Sequence, residues 1–125
     1  MRRWNGWGDS TVSYLPAPGA VSFIAEKIGA GNPPRDIHYP DAVKLVPPSR
    51  ASFHKQISTE ASGRLCHARG QSLPDWIAMR SGQINIFPDG VAYPSTDEDI
   101  RQLLDWADRT KAFLIPYGGG TSVAG

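Results

Sequence analysis

The segment between residues 88 and 115 constrains the fold most. The short run Val91–Tyr93, closed by Pro94, predicts a β-strand. A helix is then predicted by apolar residues at the spacings i, i+3, i+4 and i+7, which are Ile100, Leu103, Leu104 and Ala107. The apolar run Ala112–Ile115 predicts a second strand. Strand, helix and strand in this order predict a βαβ unit, with a right-handed crossover and a parallel pair of strands.

The start of this helix is predicted by a capping box. Ser95 and Glu98 stand three residues apart, so that each side chain can bond the other residue's backbone N–H. Asp97 and Asp99 place negative charge in the first turn, which suits the positive end of the helix dipole. The sequence therefore predicts that the capping residue is Ser95.

Residues 1–83 are predicted to form an irregular region that is partly helical. Most of the prolines fall between Pro16 and Pro48, where regular structure is disfavoured. A helix is predicted between residues 19 and 31, with a glycine to end it and an apolar face. That face consists of Val21, Ile24, Ala25 and Ile28.

Two further helices are indicated in the same region. Residues 71–80 are predicted to be helical, because Ser72 and Asp75 form a loose capping box and Gly82 can end the helix. Residues 49–52 are a candidate start for a short helix. The rest of the stretch from residue 44 to residue 59 carries no functional pattern.

Composition and charge exclude several classes of function. The 125 residues suffice for one small domain, and the formal net charge of +1 gives no field that would favour nucleic acid or an anionic membrane. The single cysteine forms no internal disulfide, and His38, His54 and His67 share no metal-ligand spacing, so no metal is expected. Without a signal peptide or a run of about 20 apolar residues, no transmembrane segment is expected and a cytoplasmic chain is predicted.

A glycine-rich loop follows the second predicted strand. It consists of Pro116, Tyr117, Gly118, Gly119, Gly120, Thr121 and Ser122. Open α/β sheets tend to bind ligands where such loops leave their strands. Consecutive glycines permit positive φ values and let backbone N–H groups curl around phosphate oxygens, while the two hydroxyls add donors. The loop therefore predicts a pyrophosphate site.

Other interpretations of the glycine-rich loop are less well supported. It lacks the lysine that follows the glycines of a nucleoside-triphosphate loop, and the third small residue of a dinucleotide fingerprint would have to be Val123. A flexible turn or linker is the remaining alternative. The strand and helix predicted before the loop favour a binding loop over a linker.

The chain resembles a known family of flavoproteins. Residues 116–122 with Val123–Gly125 resemble the pyrophosphate loop of the FAD-linked oxidases of type 4, which are related to vanillyl-alcohol oxidase. The run Pro88–Pro94 and the helix after it are similar to that family's approach to the loop. Within the family, the opening run Arg3–Gly8 is similar to that of the alkyldihydroxyacetonephosphate synthases, enzymes of ether-lipid synthesis. Residues 64–82 fit those proteins as well.

The resemblance implies a mixed α/β (α+β) fold class. Residues 84–125 would be the start of an FAD-binding domain of the PCMH type, incomplete at Gly125, with a substrate-binding cap domain after it. The glycine-rich loop would bind FAD through its backbone, non-covalently because it contains no His or Cys. Catalytic residues are expected beyond Gly125. A small-molecule or lipid-precursor substrate and a homodimer are expected for the full-length enzyme.

The resemblance leaves the reaction open. In a synthase, a fatty alcohol replaces the acyl group of acyl-dihydroxyacetone phosphate. In an oxidase, a hydroxy acid or alcohol passes a hydride to the flavin. Synthases often carry histidines where this chain has Arg69–Asp75. Because of this difference, the sequence does not decide between the synthase reaction and the oxidase reaction. The alternative to an enzyme is a truncated, non-catalytic module that binds another protein through Trp4 and Trp7.

Overall fold

Five helices and one two-stranded sheet make up the part of the chain that the computed structural model describes, residues 3–32 and 35–122. In chain order the elements are α1 (Ala20–Ile28), α2 (Tyr39–Lys44), β1 (Ile57–Ser58), α3 (Ala61–Cys66), α4 (Leu73–Ser81), β2 (Val91–Ala92) and α5 (Asp97–Thr110). We call residues 67–72 the α3–α4 connector. The chain thus combines helices with a small sheet.

The sheet differs from the predicted βαβ unit. Strand β2 lies where a strand was expected, but it pairs antiparallel with β1. The run Ala112–Ile115 forms no strand, and its Phe113 and Ile115 are 96% and 86% exposed. The predicted parallel pair is therefore wrong for the described residues. An apolar run becomes a strand only beside a partner edge, and the described chain places no such edge next to this run.

The two strands approach closely at a glycine. Ile57 lies opposite Ala92 and Ser58 lies opposite Val91. A Cβ atom on Gly90 would collide with the Ile57 side chain and would lie 3.2 Å from the Ser58 carbonyl oxygen. The absence of a side chain at residue 90 therefore permits this pairing.

Helix α5 begins one residue later than predicted. The capping residue is Thr96, whose Oγ1 accepts a hydrogen bond from the Asp99 backbone N–H at 3.1 Å. The Asp99 carboxylate in turn accepts from the backbone N–H groups of Ser95 and Thr96, both at 3.0 Å. These bonds, with that from Ser95 the largest cause, lower the pKa of Asp99. The predicted box of Ser95 and Glu98 is wrong because a hydroxyl and a carboxylate also stand three residues apart one position later.

We expect removal of the Thr96 hydroxyl to destabilise the protein. Thr96→Ala should lower the free energy of unfolding by about 1 kcal/mol, because the Asp99 N–H loses its acceptor. Ser95→Ala is the matched control and should change it by less than about 0.5 kcal/mol, since Ser95 contributes only its backbone. Denaturant unfolding of both variants measures this, and equal losses would contradict the assignment of Thr96 as the cap.

The two predicted helices of the N-terminal region both form, and only α4 contributes to the core. Helix α4 has the predicted capping box of Ser72 and Asp75, and ends at Gly82 in the left-handed region. Helix α1 ends at Gly29 and contains no buried residue. Its predicted apolar face is therefore not covered by the described part of the chain.

No helix forms at residues 49–52. The Ser49 Oγ instead donates a hydrogen bond to the Asp89 carbonyl oxygen at 2.6 Å, and Arg50 forms an ion pair with the Asp89 carboxylate at 2.8 Å. Bonds to Arg50, its side-chain hydrogen bond above all, lower the pKa of Asp89. Long-range contacts thus replace the local helix that was predicted there.

The core lies between α2, α3 and α4. Its buried members are Ala42, Leu65, Met79 and Ile84, with Trp4, Ile37, Val43, Val46, Ala68 and Phe87 packed around them. The core therefore anchors both ends of the α3–α4 connector. The predicted division between residues 83 and 84 stays a prediction.

One buried cation ties distant segments to α3. Arg64 is only 2% exposed. Its Nε donates to the Pro88 carbonyl oxygen at 2.6 Å, and its Nη1 donates to the Pro47 carbonyl oxygen at 2.7 Å. Arg64 thereby holds the segments before β1 and before β2 against the same helix.

A search of the described residues for a helix long and apolar enough to cross a membrane finds none.

Candidate functional site

The glycine-rich loop, residues 116–122, lies against the α3–α4 connector. The Tyr117 hydroxyl donates a hydrogen bond to the Arg69 carbonyl oxygen at 3.3 Å. The Gln71 Nε2 donates to the Gly119 carbonyl oxygen at 3.1 Å. Both bonds join residues 48 positions apart in the sequence. Tertiary contacts therefore hold the loop in place.

The end of the loop is held by a carboxylate in the first turn of α4. The Ser122 Oγ donates to Asp75 Oδ2 at 3.2 Å, and the Ser72 Oγ donates to the same oxygen at 2.6 Å. The hydrogen bond from Ser72 is the largest cause of a lowered pKa of Asp75, with smaller contributions from Ser122 and from the Arg69 guanidinium 3.8 Å away. Asp75 is therefore an ionised acceptor for both hydroxyls.

Two residues of the loop adopt left-handed backbone conformations. The φ angles are 65° at Gly120 and 56° at Ser122. A Cβ atom at Gly120 would also collide with the Tyr117 ring. Glycine is therefore required at residue 120 by both backbone and space.

The backbone N–H groups of Gly118, Gly119 and Gly120 donate no hydrogen bond to any described residue. Gly118 and Gly119 are exposed, and a Cβ atom at Gly118 would meet nothing within 4 Å. Three consecutive N–H donors without an acceptor among the described residues suit an anion with several acceptor oxygens. The pyrophosphate site that the sequence predicts at this loop stays a prediction.

A glycine in the connector makes room for the loop. A Cβ atom at Gly70 would collide with the Ser122 hydroxyl and would lie 3.1 Å from Asp75 Oδ2. The contact between Ser122 and Asp75 therefore depends on the absence of a side chain at residue 70.

Aromatic rings contact one another at the start of the loop. The His67 and Tyr117 rings meet edge to face, with centroids 4.6 Å apart. The His67 ring also contacts the Tyr93 ring edge to face, with centroids 5.8 Å apart. The His67 Nδ1 lies 2.8 Å from the Gly63 carbonyl oxygen, which orients the imidazole. These contacts fix the Tyr117 ring at the start of the glycines.

A cleft of about 400 Å³ adjoins Tyr117 and the connector. Its wall is largely apolar and includes Trp4, Tyr39, Trp76 and Met79, while Arg3 and Arg69 add positive charge. The cleft thus extends the site from the loop towards the N-terminal residues.

The two tryptophans considered as a docking patch pack against the chain itself. Trp4 packs on the core and lies 5.5 Å from Tyr39 between ring centroids. Trp7 contacts Trp76 edge to face, although 65% of Trp7 remains exposed. Their observed contacts are those of residues that cover a hydrophobic seam.

The three histidines lie in separate surroundings. His54 packs near Trp106, with ring centroids 5.9 Å apart, and His67 contacts Tyr117. Across residues 3–32 and 35–122, no group of three or more His, Cys, Asp or Glu is placed to hold a metal ion.

Sequence reasoning missed the residues that hold the loop. Gln71 and Arg69 gave no signal, because their partners lie 48 residues away. Asp75 was identified only as half of a capping box. The one local signal was Gly70, which has no role in ending or starting a helix and so indicates a close approach of other atoms.

No protein-family model matches the chain. Curated relatives are nevertheless similar to it. They are alkyldihydroxyacetonephosphate synthases from Caenorhabditis elegans (26% identity over 97% of this chain and 25% of the relative), Dictyostelium discoideum (32% over 75% and 15%) and Trypanosoma brucei brucei (34% over 56% and 11%). The chain therefore spans a quarter or less of the length of these relatives.

Solved structures of the same enzyme are also similar to this chain. Two crystal forms of alkyldihydroxyacetonephosphate synthase, in P1 and P212121, are similar to this chain with TM-scores of 0.58 and 0.60. In both, the identity is 27% and the similarity covers 96% of this chain, against 28% and 27% of the solved chains. The similarity extends across the core, the connector and α5.

Proposed function

Because the chain is a homologue of the alkyldihydroxyacetonephosphate synthases, we propose that it forms the FAD-binding part of a flavin-dependent enzyme. The glycine-rich loop would hold the FAD pyrophosphate. One observation carries this proposal: the N–H groups of Gly118, Gly119 and Gly120 have no acceptor among the described residues, in a loop that the connector holds in place.

The loop fits a pyrophosphate in space as well as in donors. No atom lies within 4 Å of a Cβ position at Gly118, and at Gly119 only the Thr121 methyl group does, at 3.5 Å, so phosphate oxygens can reach the backbone. The left-handed conformation at Gly120 curls the chain at that point, as in backbone sites for anions. When bound, FAD would supply the redox chemistry of the reaction, and the chain's own part would be to bind and orient it. On this basis we propose that residues 84–125 are the start of an FAD-binding subdomain of the PCMH type.

We propose that the FAD is held non-covalently. The loop has no His or Cys, and its contacts to a ligand would be made by backbone N–H groups. Acid precipitation of the purified full-length protein tests this. We expect flavin to be released into the supernatant at about one FAD per chain. Flavin that stays in the precipitate would contradict non-covalent binding, and a protein that neither contains nor takes up FAD would contradict the proposal as a whole.

For the whole enzyme we propose a reaction like that named for its relatives, with alkyldihydroxyacetonephosphate as product. The apolar cleft beside Tyr117 suits a site that handles a lipid precursor. Incubating the full-length protein with acyl-dihydroxyacetone phosphate and a labelled fatty alcohol tests this reaction. Transfer of the label supports a synthase. No transfer, with bleaching of the flavin by a 2-hydroxy acid, would instead indicate an oxidase.

A further inference from the structure

We propose that Asp75 is a positioning residue for the glycine-rich loop, because its carboxylate holds the Ser122 hydroxyl and so sets the direction of the glycine N–H groups. This inference rests on the proposed FAD site and extends it. Asp75 lies outside the loop, in the first turn of α4, 47 positions before Ser122. It would act on the cofactor only through the loop.

Ser122 is where the loop needs support from outside. Its φ of 56° is left-handed, a conformation that residues with a side chain rarely adopt unless their surroundings hold them there. The hydrogen bond from Ser122 Oγ to Asp75 Oδ2, at 3.2 Å, provides such a restraint. Without it, we expect Ser122 to relax towards a negative φ, which would turn the peptide groups before it.

Asp75 is itself held firmly enough to serve as an anchor. Its side chain is 17% exposed, and Oδ2 also accepts from the Ser72 backbone N–H at 3.3 Å and the Ser72 hydroxyl at 2.6 Å. Helix α4 is fixed in the core by Met79, which is 3% exposed. An ionised carboxylate can only accept, so the Ser122 hydroxyl must donate towards the protein.

Gln71 provides a second contact that orients the loop, at its middle. Its Nε2 binds the Gly119 carbonyl oxygen at 3.1 Å, which turns that oxygen towards the connector. In a trans peptide the C=O of one residue and the N–H of the next point in opposite directions. The Gly120 N–H therefore points away from the connector. Asp75 and Gln71 thus fix the loop at two points.

Four variants of the full-length protein test this role. Asp75→Ala and Ser122→Ala remove the two ends of the bond, and the double variant measures their coupling. Thr96→Ala is the matched control, because it removes a capping box from α5 without touching the loop. Two quantities are measured: the dissociation constant for FAD, and amide hydrogen exchange of a peptide spanning residues 116–122 with and without FAD.

We expect Asp75→Ala and Ser122→Ala each to raise the dissociation constant about three- to tenfold, and the double variant to raise it no further than the larger single effect. The slowing of loop amide exchange on addition of FAD should be smaller in both single variants, because these N–H groups have no acceptor among the described residues of the protein itself and are protected only by the ligand. Thr96→Ala should leave both quantities within about twofold of the unchanged protein. Rescue of affinity by Asp75→Glu would further support a carboxylate contact.

Two results would overturn the inference. The first is loop exchange and FAD affinity that do not change in Asp75→Ala. The second is an equal effect of Thr96→Ala, which would show a general loss of stability. Failure of the proposed function is distinguishable, because the unchanged protein would then not bind FAD, whereas failure of this inference alone leaves the unchanged protein and Asp75→Ala with the same affinity for FAD.

Discussion

Replacing Gly118 with valine is expected to weaken FAD binding about a hundredfold while the chain keeps its fold. A Cβ atom at Gly118 meets nothing within 4 Å in the protein, and the residue is not in the left-handed region, so the fold accepts the larger side chain. The added isopropyl group would stand where phosphate oxygens must approach the N–H groups. Titration of the stripped full-length protein with FAD, followed by flavin fluorescence, measures the effect.

Gly31→Val is the matched control for this substitution. Gly31 is also exposed, also has open space around a Cβ atom, and also lies outside the left-handed region. The Gly31→Val variant should bind FAD with the same affinity as the unchanged protein. Gly120→Val gives a contrast, because its side chain would collide with the Tyr117 ring and disturb the loop even without FAD. Unchanged affinity in Gly118→Val would mean that the pyrophosphate lies elsewhere.

The second large effect is on stability and concerns Arg64. Arg64→Ala should lower the free energy of unfolding by about 3–5 kcal/mol. The substitution removes the donors of the Pro47 and Pro88 carbonyl oxygens and leaves a cavity, since Arg64 is only 2% exposed. Denaturant unfolding of the full-length protein measures the loss.

Arg101→Ala controls for loss of a positive charge. Arg101 is 68% exposed in its side chain and pairs with Glu98 at 3.5 Å, so its removal should change stability by less than about 0.5 kcal/mol. A loss below about 1 kcal/mol in Arg64→Ala would contradict the account, because it would show that water replaces the guanidinium at both carbonyl groups.

Local sequence patterns predicted the helices with strong end signals. The capping box of Ser72 and Asp75 and the terminating Gly82 located α4, and the apolar period from Ile100 to Ala107 located α5. Helix α2 went unpredicted because it is short and begins in a proline-rich stretch. Its Pro40 is nevertheless compatible with a helix, since the first turn leaves its N–H groups unbonded in any case.

The sheet could not be predicted in the same way, because strand pairing is decided between distant segments. Val91–Ala92 was recognised as a strand, but nothing local indicates that Ile57–Ser58 is its partner. The opposite error occurred at Ala112–Ile115, where the composition suits a strand and the described chain supplies no partner. Apolar runs report a tendency to be buried, and pairing depends on the rest of the fold.

In the candidate site, too, local features could be predicted from the sequence and contacts between distant segments could not. The glycines of the loop were predictable, because positive φ and close approach of a ligand require them. The residues that hold the loop were not, since Gln71 and Asp75 act on partners 48 and 47 positions away. Ser122 was predicted as a donor to phosphate, and in the structure its hydroxyl donates to Asp75.

The most direct measurement of the central claim is amide hydrogen exchange of the full-length protein with and without FAD, read at a peptide spanning residues 116–122. If the loop binds the FAD pyrophosphate, its amides should exchange more slowly when FAD is present, because the N–H groups of Gly118, Gly119 and Gly120 then gain acceptors. FAD binding that protects other peptides and leaves exchange in residues 116–122 unchanged would contradict the claim.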